Sequence, residues 1–321
     1  MIPVIVMQAI VFASLISVLS VGWTLTHLTA KIPNFAHGAY AAFGVYITYT
    51  IFKQMHLNPY WSFPVAFILG GVVGFLLYMT IINILNKMGG GAIVLTIATM
   101  AINIFLTAGV NIYATWIRMR TGLYAYDFMV KEGDFLLFGQ RGILYVAFSI
   151  TLSTAILLHI FLTRTRMGIA MRATAEDPGL ASIIGINTER IQQISWFLTG
   201  GMACLAGAMF PFWFLGNTTV GANLLSACMA GSLLGGVESA YGAMIGGFVV
   251  GFVQVVLTFW LMKGVGEWAG EYRTMIPMLI LIFILLLEPR GLIGLIERFN
   301  NSTIGKRLSS RFRSRAHSET Q

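Results

Sequence analysis

The sequence predicts an all-α polytopic membrane protein with eight or nine transmembrane helices, and three observations lead there. The 321 residues are 57% hydrophobic and only 10% charged, whereas soluble domains carry about 25% charged residues. Mean hydropathy is +0.80. The apolar residues fall in successive runs, most near the roughly 20 residues a spanning helix needs. Nine such runs absorb most of the apolar content and leave little for a soluble domain. A soluble enzyme, a nucleic-acid reader and a secreted disulfide scaffold are excluded on the same grounds.

In chain order the candidate spans are 3–22, 34–52, 62–85, 92–113, 142–163, 192–215, 223–237, 239–262 and 273–287. The first has no Lys or Arg before it and lacks the basic start of a cleavable signal, so it is expected to be retained. Asn34, His37 and Gly38 interrupt the second, and the seventh is short and glycine-rich. Cys204 and Cys228 lie in apolar runs, have no metal-ligand spacing and read as small buried hydrophobes. No metal site and no catalytic constellation is predicted.

The net charge of +8 comes from 20 basic and 12 acidic residues. Seven of the basic ones (Arg290, Arg298, Lys306, Arg307, Arg311, Arg313 and Arg315) follow Pro289. Four more, Arg164, Arg166, Arg172 and Arg190, lie between the fifth and sixth spans. The positive-inside rule places both groups in the cytoplasm, with anionic membrane lipid as the tail's nearest partner and no role for nucleic acid. Counting crossings back puts 13 basic residues inside and seven outside, the N-terminus outside and the C-terminus cytoplasmic. The expected organisation is a transmembrane domain over 1–289 and a basic cytoplasmic tail over 290–321. The domain contains an external loop at 114–141, suited to an external partner, and a cytoplasmic loop at 164–190.

That cytoplasmic loop is the most informative stretch. Asp177 followed by Pro178 is a helix start, and Gly185 stands where the helix should stop. Leu180, Ile183 and Ile184 share one face of this short helix. So short a helix does not hold itself together, so its apolar face must dock, either on the chain's own membrane ends or in a groove of a cytoplasmic partner.

The run RATAEDPGLASIIGIN at 172–187 resembles the cytoplasmic loop of the branched-chain amino acid ABC transporter permeases of the LivH-like type. NFAHG at 34–38, with Gly44 and Tyr46 beyond it, is similar to that family's NFAHG motif. LLGGVESAYGAMIGG at 233–247 and PRGLIG at 289–294 resemble two further motifs in the family's order. Some positions depart from the pattern: Ala39, Ala42 and Glu238 replace the usual acidic residue, methionine and glycine, and serines and bulky residues replace glycines of the first span.

The resemblance implies an inner-membrane importer subunit for branched-chain or related hydrophobic amino acids, with no cofactor of its own. A second permease subunit, of the same or a related type, completes the pore; cytoplasmic ABC ATPase subunits bind ATP, and an external or periplasmic solute-binding protein delivers solute. The loop helix would then carry ATPase motion to the spans, with Arg172, Glu176 and Asp177 pairing to the ATPase surface and Leu180, Ile183 and Ile184 filling its groove. Urea, short amides or another small solute are alternative cargoes. A secondary transporter or channel is disfavoured by the near-absence of mid-membrane charges.

Asn34, Phe35, His37, Gly38 and Glu238 are the candidate pathway residues, at two breaks that point towards an inverted repeat. His37 and Asn34 also suit structural hydrogen bonds between helices. Glu238 is expected at a water-facing turn or polar cavity. Gly231, Gly235, Ser239, Ala243, Gly247 and Gly251 form a small-residue stripe for close helix packing, within the subunit or at a subunit seam. No GxxxxGK[ST] phosphate loop occurs.

Overall fold

The computed structural model describes residues 3–122 and 125–287; the basic tail and the PRGLIG motif lie outside them. Twelve α-helices are described: α1 Val4–Ala30, α2 His37–Tyr49, α3 Ser62–Leu77, α4 Asn83–Lys87, α5 Ala92–Thr121, α6 Gly142–Arg164, α7 Arg166–Glu176, α8 Pro178–Ile183, α9 Thr188–Met209, α10 Val220–Gly235, α11 Ala240–Val265 and α12 Met275–Leu287. A π turn at Tyr78–Ile82 links α3 to α4 in one continuous span, and another at Thr50–Gln54 extends α2.

Among the described residues seven helical segments are long and apolar enough to cross a membrane, and α10 is a shorter apolar helix. With the extended α2 they account for all nine expected runs. Some boundaries move outward: α1 continues to Ala30, and α5 to Thr121, which shortens the expected 114–141 loop. The helices alternate between two ends of the bundle. One end, the loop face, carries residues 125–141; the other, the opposite face, carries α7 and α8.

Burial separates centre from periphery. The apolar windows of α1 and α9 are 72% and 78% buried, against 28% for α5, α6 and α11. The two central helices run antiparallel along a ladder of hydroxyls. Thr26 Oγ1 donates to Thr199 Oγ1 at 2.7 Å, Thr29 Oγ1 to Ser195 Oγ at 2.9 Å, and Thr199 Oγ1 to the Gly22 carbonyl at 2.8 Å. Such bonds satisfy polar groups where no water is available.

The packing repeats with inverted sense. Helix α1 lies along α11, where Gly247 and Gly251 meet Ile16, Ser20 and Ala13. Correspondingly, α9 lies along α3, where Gly70 and Gly74 meet Gly200, Cys204 and Trp196. Exchanging α1, α2, α3 and α5 for α9, α10, α11 and α12 maps these packed pairs onto one another, with opposite chain directions. This is the inverted repeat that the two interrupted spans suggest. Helix α6 stands outside it and supplies the odd crossing that reverses the second half.

The small-residue stripe divides between α10 and α11, within the subunit. Gly231 faces Gly247, Gly235 faces Gly242, and Ala243 is fully buried. Ser239 caps α11 by accepting the Gly242 N–H at 3.1 Å. Serines of the first span enter the same seam: Ser20 Oγ donates to the Cys228 carbonyl at 3.1 Å and Ser17 Oγ to that of Met244 at 2.8 Å. Both cysteines are buried and free.

Candidate functional site

Two broken helices meet in the core. After α1 ends, with Lys31 in the left-handed region at φ 55°, residues 31–36 lead back into the bundle without forming a helix. Asn34 Oδ1 accepts the Ala36 N–H at 3.1 Å, the Phe35 N–H donates to Thr99 Oγ1 at 3.2 Å, and Thr99 Oγ1 donates to the Pro33 carbonyl at 3.3 Å. These side-chain bonds hold the non-helical backbone in place of a sheet or helix partner. Helix α2 then begins at His37, whose Nε2 lies 2.8 Å from the Leu19 carbonyl, partway along α1.

Helix α10 approaches from the other end. The chain leaves α9 through a 3-10 turn at Phe210–Phe212 and re-enters a helix only at Val220. The first turns of α2 and α10 cross at Gly38 and Gly221. A Cβ on either glycine would run into the other's carbonyl oxygen. The second break is therefore at residues 213–219, before α10. The motif at Gly235–Gly242 that suggested it forms the turn from α10 into α11, with Gly236 at φ 97°.

Asn34, His37 and Gly38 are fully sealed at this crossing, and Phe35 is half-buried. Asn34 Nδ2 and His37 Nδ1 are buried without a hydrogen-bond partner among the described residues. Glu238 is elsewhere: it is exposed at the α10–α11 turn on the opposite face. There it lines a cavity of about 430 Å³ together with Lys31, Arg172 and Glu176. The structure thus separates Glu238 from the NFAHG residues and joins it to two residues of the cytoplasmic-loop group.

That loop folds as two capped helices. Thr165 Oγ1 accepts the Gly168 N–H at 3.0 Å to start α7. Asp177 Oδ1 accepts the Gly179 and Leu180 N–H groups at 2.8 and 3.0 Å to start α8, with Pro178 next in line. Gly185 at φ 89° ends α8, and the Ile186 N–H returns to the Ala181 carbonyl at 3.0 Å. Ala181 is buried against the rest of the chain. Leu180, Ile183 and Ile184 are 59%, 81% and 67% exposed. Of the two docking options left open by the sequence, the first is not met among the described residues: the apolar face does not rest on their membrane ends.

At the loop face, the Tyr60 hydroxyl donates to Asp134 Oδ1 at 2.5 Å and the Ile143 N–H donates to the same oxygen at 3.2 Å. Burial pushes the Asp134 carboxyl above the usual carboxylate range, opposed chiefly by the bond from Tyr60. This clamp ties the entrance of α3 to that of α6. Sequence reading missed it, along with α7, the Gly38–Gly221 crossing and the α3–α9 glycine seam. The glycine pair Gly70 and Gly74, spaced like Gly247 and Gly251, was the available signal for that seam.

A membrane bundle with an inverted repeat and two broken helices crossing at its core has the architecture of a transport permease. The chain matches the family model described as "Branched-chain amino acid transport system / permease component" over residues 5–285, and it belongs to that family. It is 35% identical over 286 residues to a probable branched-chain amino acid transport permease protein LivH of Methanocaldococcus jannaschii, covering 89% of this chain and 90% of the relative. It is 25% identical to the high-affinity branched-chain amino acid transport system permease protein LivH of Escherichia coli, covering 89% and 94%. Among solved structures, PsaBC from Streptococcus pneumoniae in complex with Fab shares the fold. Its TM-score is 0.53, with 13% identity over 90% of this chain and 94% of that one.

Proposed function

We propose that this chain forms one half of the translocation pathway of an ABC importer for branched-chain or closely related hydrophobic amino acids. The observation that carries the reading is α8, a pre-capped helix that leaves Leu180, Ile183 and Ile184 in water. Such a knob needs a receiving groove, and a cytoplasmic ATPase is the partner the family supplies. The opposite face is then cytoplasmic, the loop face external, and the membrane the inner one. A second permease subunit completes the pore, and a solute-binding protein docks on the loop face.

In this account the ATPases close on ATP and push α8. Helices α7 and α9 carry the motion to the 31–36 segment and to the α10–α11 turn, where Arg172, Glu176, Lys31 and Glu238 share one cavity. Solute passes between this subunit and its mate, along α2, whose first turn is fixed against α10 at Gly38 and Gly221. Asn34, Phe35, His37 and Gly38 are its nearest polar and conformational handles. The largely apolar surroundings suit an aliphatic side chain, with a few polar groups left to orient the ammonium and carboxylate.

The test is uptake of labelled leucine into proteoliposomes holding this chain, its ATPases and its second permease subunit, with the binding protein added outside. Uptake should require ATP inside and be competed by isoleucine and valine. Competition by urea or short amides, with none by isoleucine or valine, would refute the cargo but not the architecture.

A further inference from the structure

The α5–α6 loop ends in a small hairpin, β1 Leu136–Leu137 paired with β2 Gln140–Arg141, and it runs straight into α6 at Gly142. Its turn places Phe138 and Gly139 in the left-handed region, at φ 51° and 74°. The tip is apolar and open: Leu136 is 75% exposed and Phe138 88%. Beside it lies a cavity of about 430 Å³ walled by Val4 and Met7 of the first turn of α1, by Trp213, and by Lys131, Gln140 and Arg141. The lining carries two cations and no carboxylate. Arg141 stacks over the Trp213 ring at 5.2 Å, and its Nη1 is buried without a hydrogen-bond partner. Lys131 has no ion pair among the described residues.

We infer that this corner binds an anionic phospholipid of the adjacent leaflet. Lys131 and Arg141 take the phosphate, and Leu136, Leu137 and Phe138 sit among the acyl chains and glycerol backbones. Arg141 is partly exposed and lines the cavity, and phosphate oxygens match the donor geometry of its guanidinium. Position selects lipid over a water-borne acidic partner. One wall is the first turn of α1, and β2 continues directly into α6, so the cavity lies at the hydrocarbon boundary. An acidic protein surface would satisfy the two cations and leave Leu136 and Phe138 in water. Cations beside apolar and aromatic groups at that depth are what interfacial anchoring requires. The inference holds whichever side of the membrane the loop face occupies and does not rest on the cargo.

The experiment uses the full chain in phosphatidylcholine vesicles with and without phosphatidylglycerol. A nitroxide is placed by Phe138→Cys, with Glu132→Cys on the same loop as the aqueous reference; both native cysteines are buried. The label at 138 should be relaxed more by oxygen than by a water-soluble nickel chelate, and the label at 132 the reverse. In native mass spectrometry, the paired substitution Lys131→Gln with Arg141→Gln should lower retained phosphatidylglycerol at least about fivefold, the equivalent of one surface cation, with phosphatidylcholine unchanged. If that variant misfolds, Lys131→Gln alone, at an exposed loop position, should still lower retained phosphatidylglycerol, and unchanged retention decides against the proposal.

Equal nickel access at both labels, or unchanged phosphatidylglycerol retention, overturns the proposal. Release of the lipid by inorganic phosphate would assign the site to a soluble anion instead. Protection of the 138 label only when a solute-binding protein is added would make the tip a protein-docking surface.

Discussion

Gly38 and Gly221 set how closely the two broken helices approach, because each lacks the Cβ that would strike the other's carbonyl. Overpacking a tight contact costs about 1–3 kcal/mol. Gly38→Ala and Gly221→Ala should each lower the thermal unfolding midpoint in detergent. Gly109→Ala is the control, since nothing lies within 4 Å of its added methyl, and its midpoint should hold or rise. His37 presents a second test at this scale. Its buried bond to the Leu19 carbonyl, 2.8 Å long, makes it a tie between α1 and α2. Removing it by His37→Leu forfeits this interhelical bond, about 0.5–1.5 kcal/mol, while the Leu19 carbonyl keeps its own partner within α1. A structural tie predicts a lower midpoint with the KM for leucine unchanged; a raised KM at an unchanged midpoint would show that the imidazole contacts solute.

Among the elements, α8 owes its form to local chemistry. Asp177, Pro178 and Gly185 fix its ends, so it was legible from sequence alone. Asp177→Ala should loosen its start by about 1 kcal/mol and lower uptake severalfold, with Asp177→Asn restoring most of it. Ile183 is 81% exposed, so Ile183→Asp should leave the fold intact while abolishing ATP-dependent uptake. Burying Leu180, Ile183 and Ile184 in a partner would gain about 1.5–3 kcal/mol per fully covered side chain, enough for one charged substitution to decide docking. Circular dichroism and gel filtration of the Ile183→Asp protein check the folding half of that expectation. The spans were legible for a different reason: hydropathy over 18 or more residues is a strong signal. Their ends were not, because α1 and α5 continue beyond their apolar cores into residues such as Thr26, Thr29 and Arg118.

Over the whole molecule the inverted repeat was only hinted at in the sequence, since it resides in which helix packs on which. One seam joins Gly247 and Gly251 to Ala13, Ile16 and Ser20; its counterpart joins Gly70 and Gly74 to Trp196, Gly200 and Cys204. The glycine spacing is repeated, but the facing residues are unrelated. The break before α10 was misplaced for a related reason. Glycine-rich Gly235–Gly242 looks like a helix interruption yet serves as a tight turn, whereas the real break at 213–219, flanked by Pro211 and holding Gly216 and Asn217, reads as an ordinary loop between two spans. The arrangement has a mechanical consequence. Helices α1 and α9 form the buried spine, and the two broken helices cross against it. Helix α7, which leads directly into α8, lines the cavity that holds Glu238, so motion at α8 has a short route to the α10–α11 turn.

The most direct test of this coupling is purification of the tagged full chain from its native membrane in mild detergent, followed by identification of the proteins retained with it. The account predicts recovery of an ABC ATPase with the unaltered chain and its loss from the Ile183→Asp chain, with both chains eluting as folded protein. Recovery of the chain without an ATPase, together with solute movement in liposomes that lack ATP, would contradict the importer mechanism and reduce α8 to a structural lid.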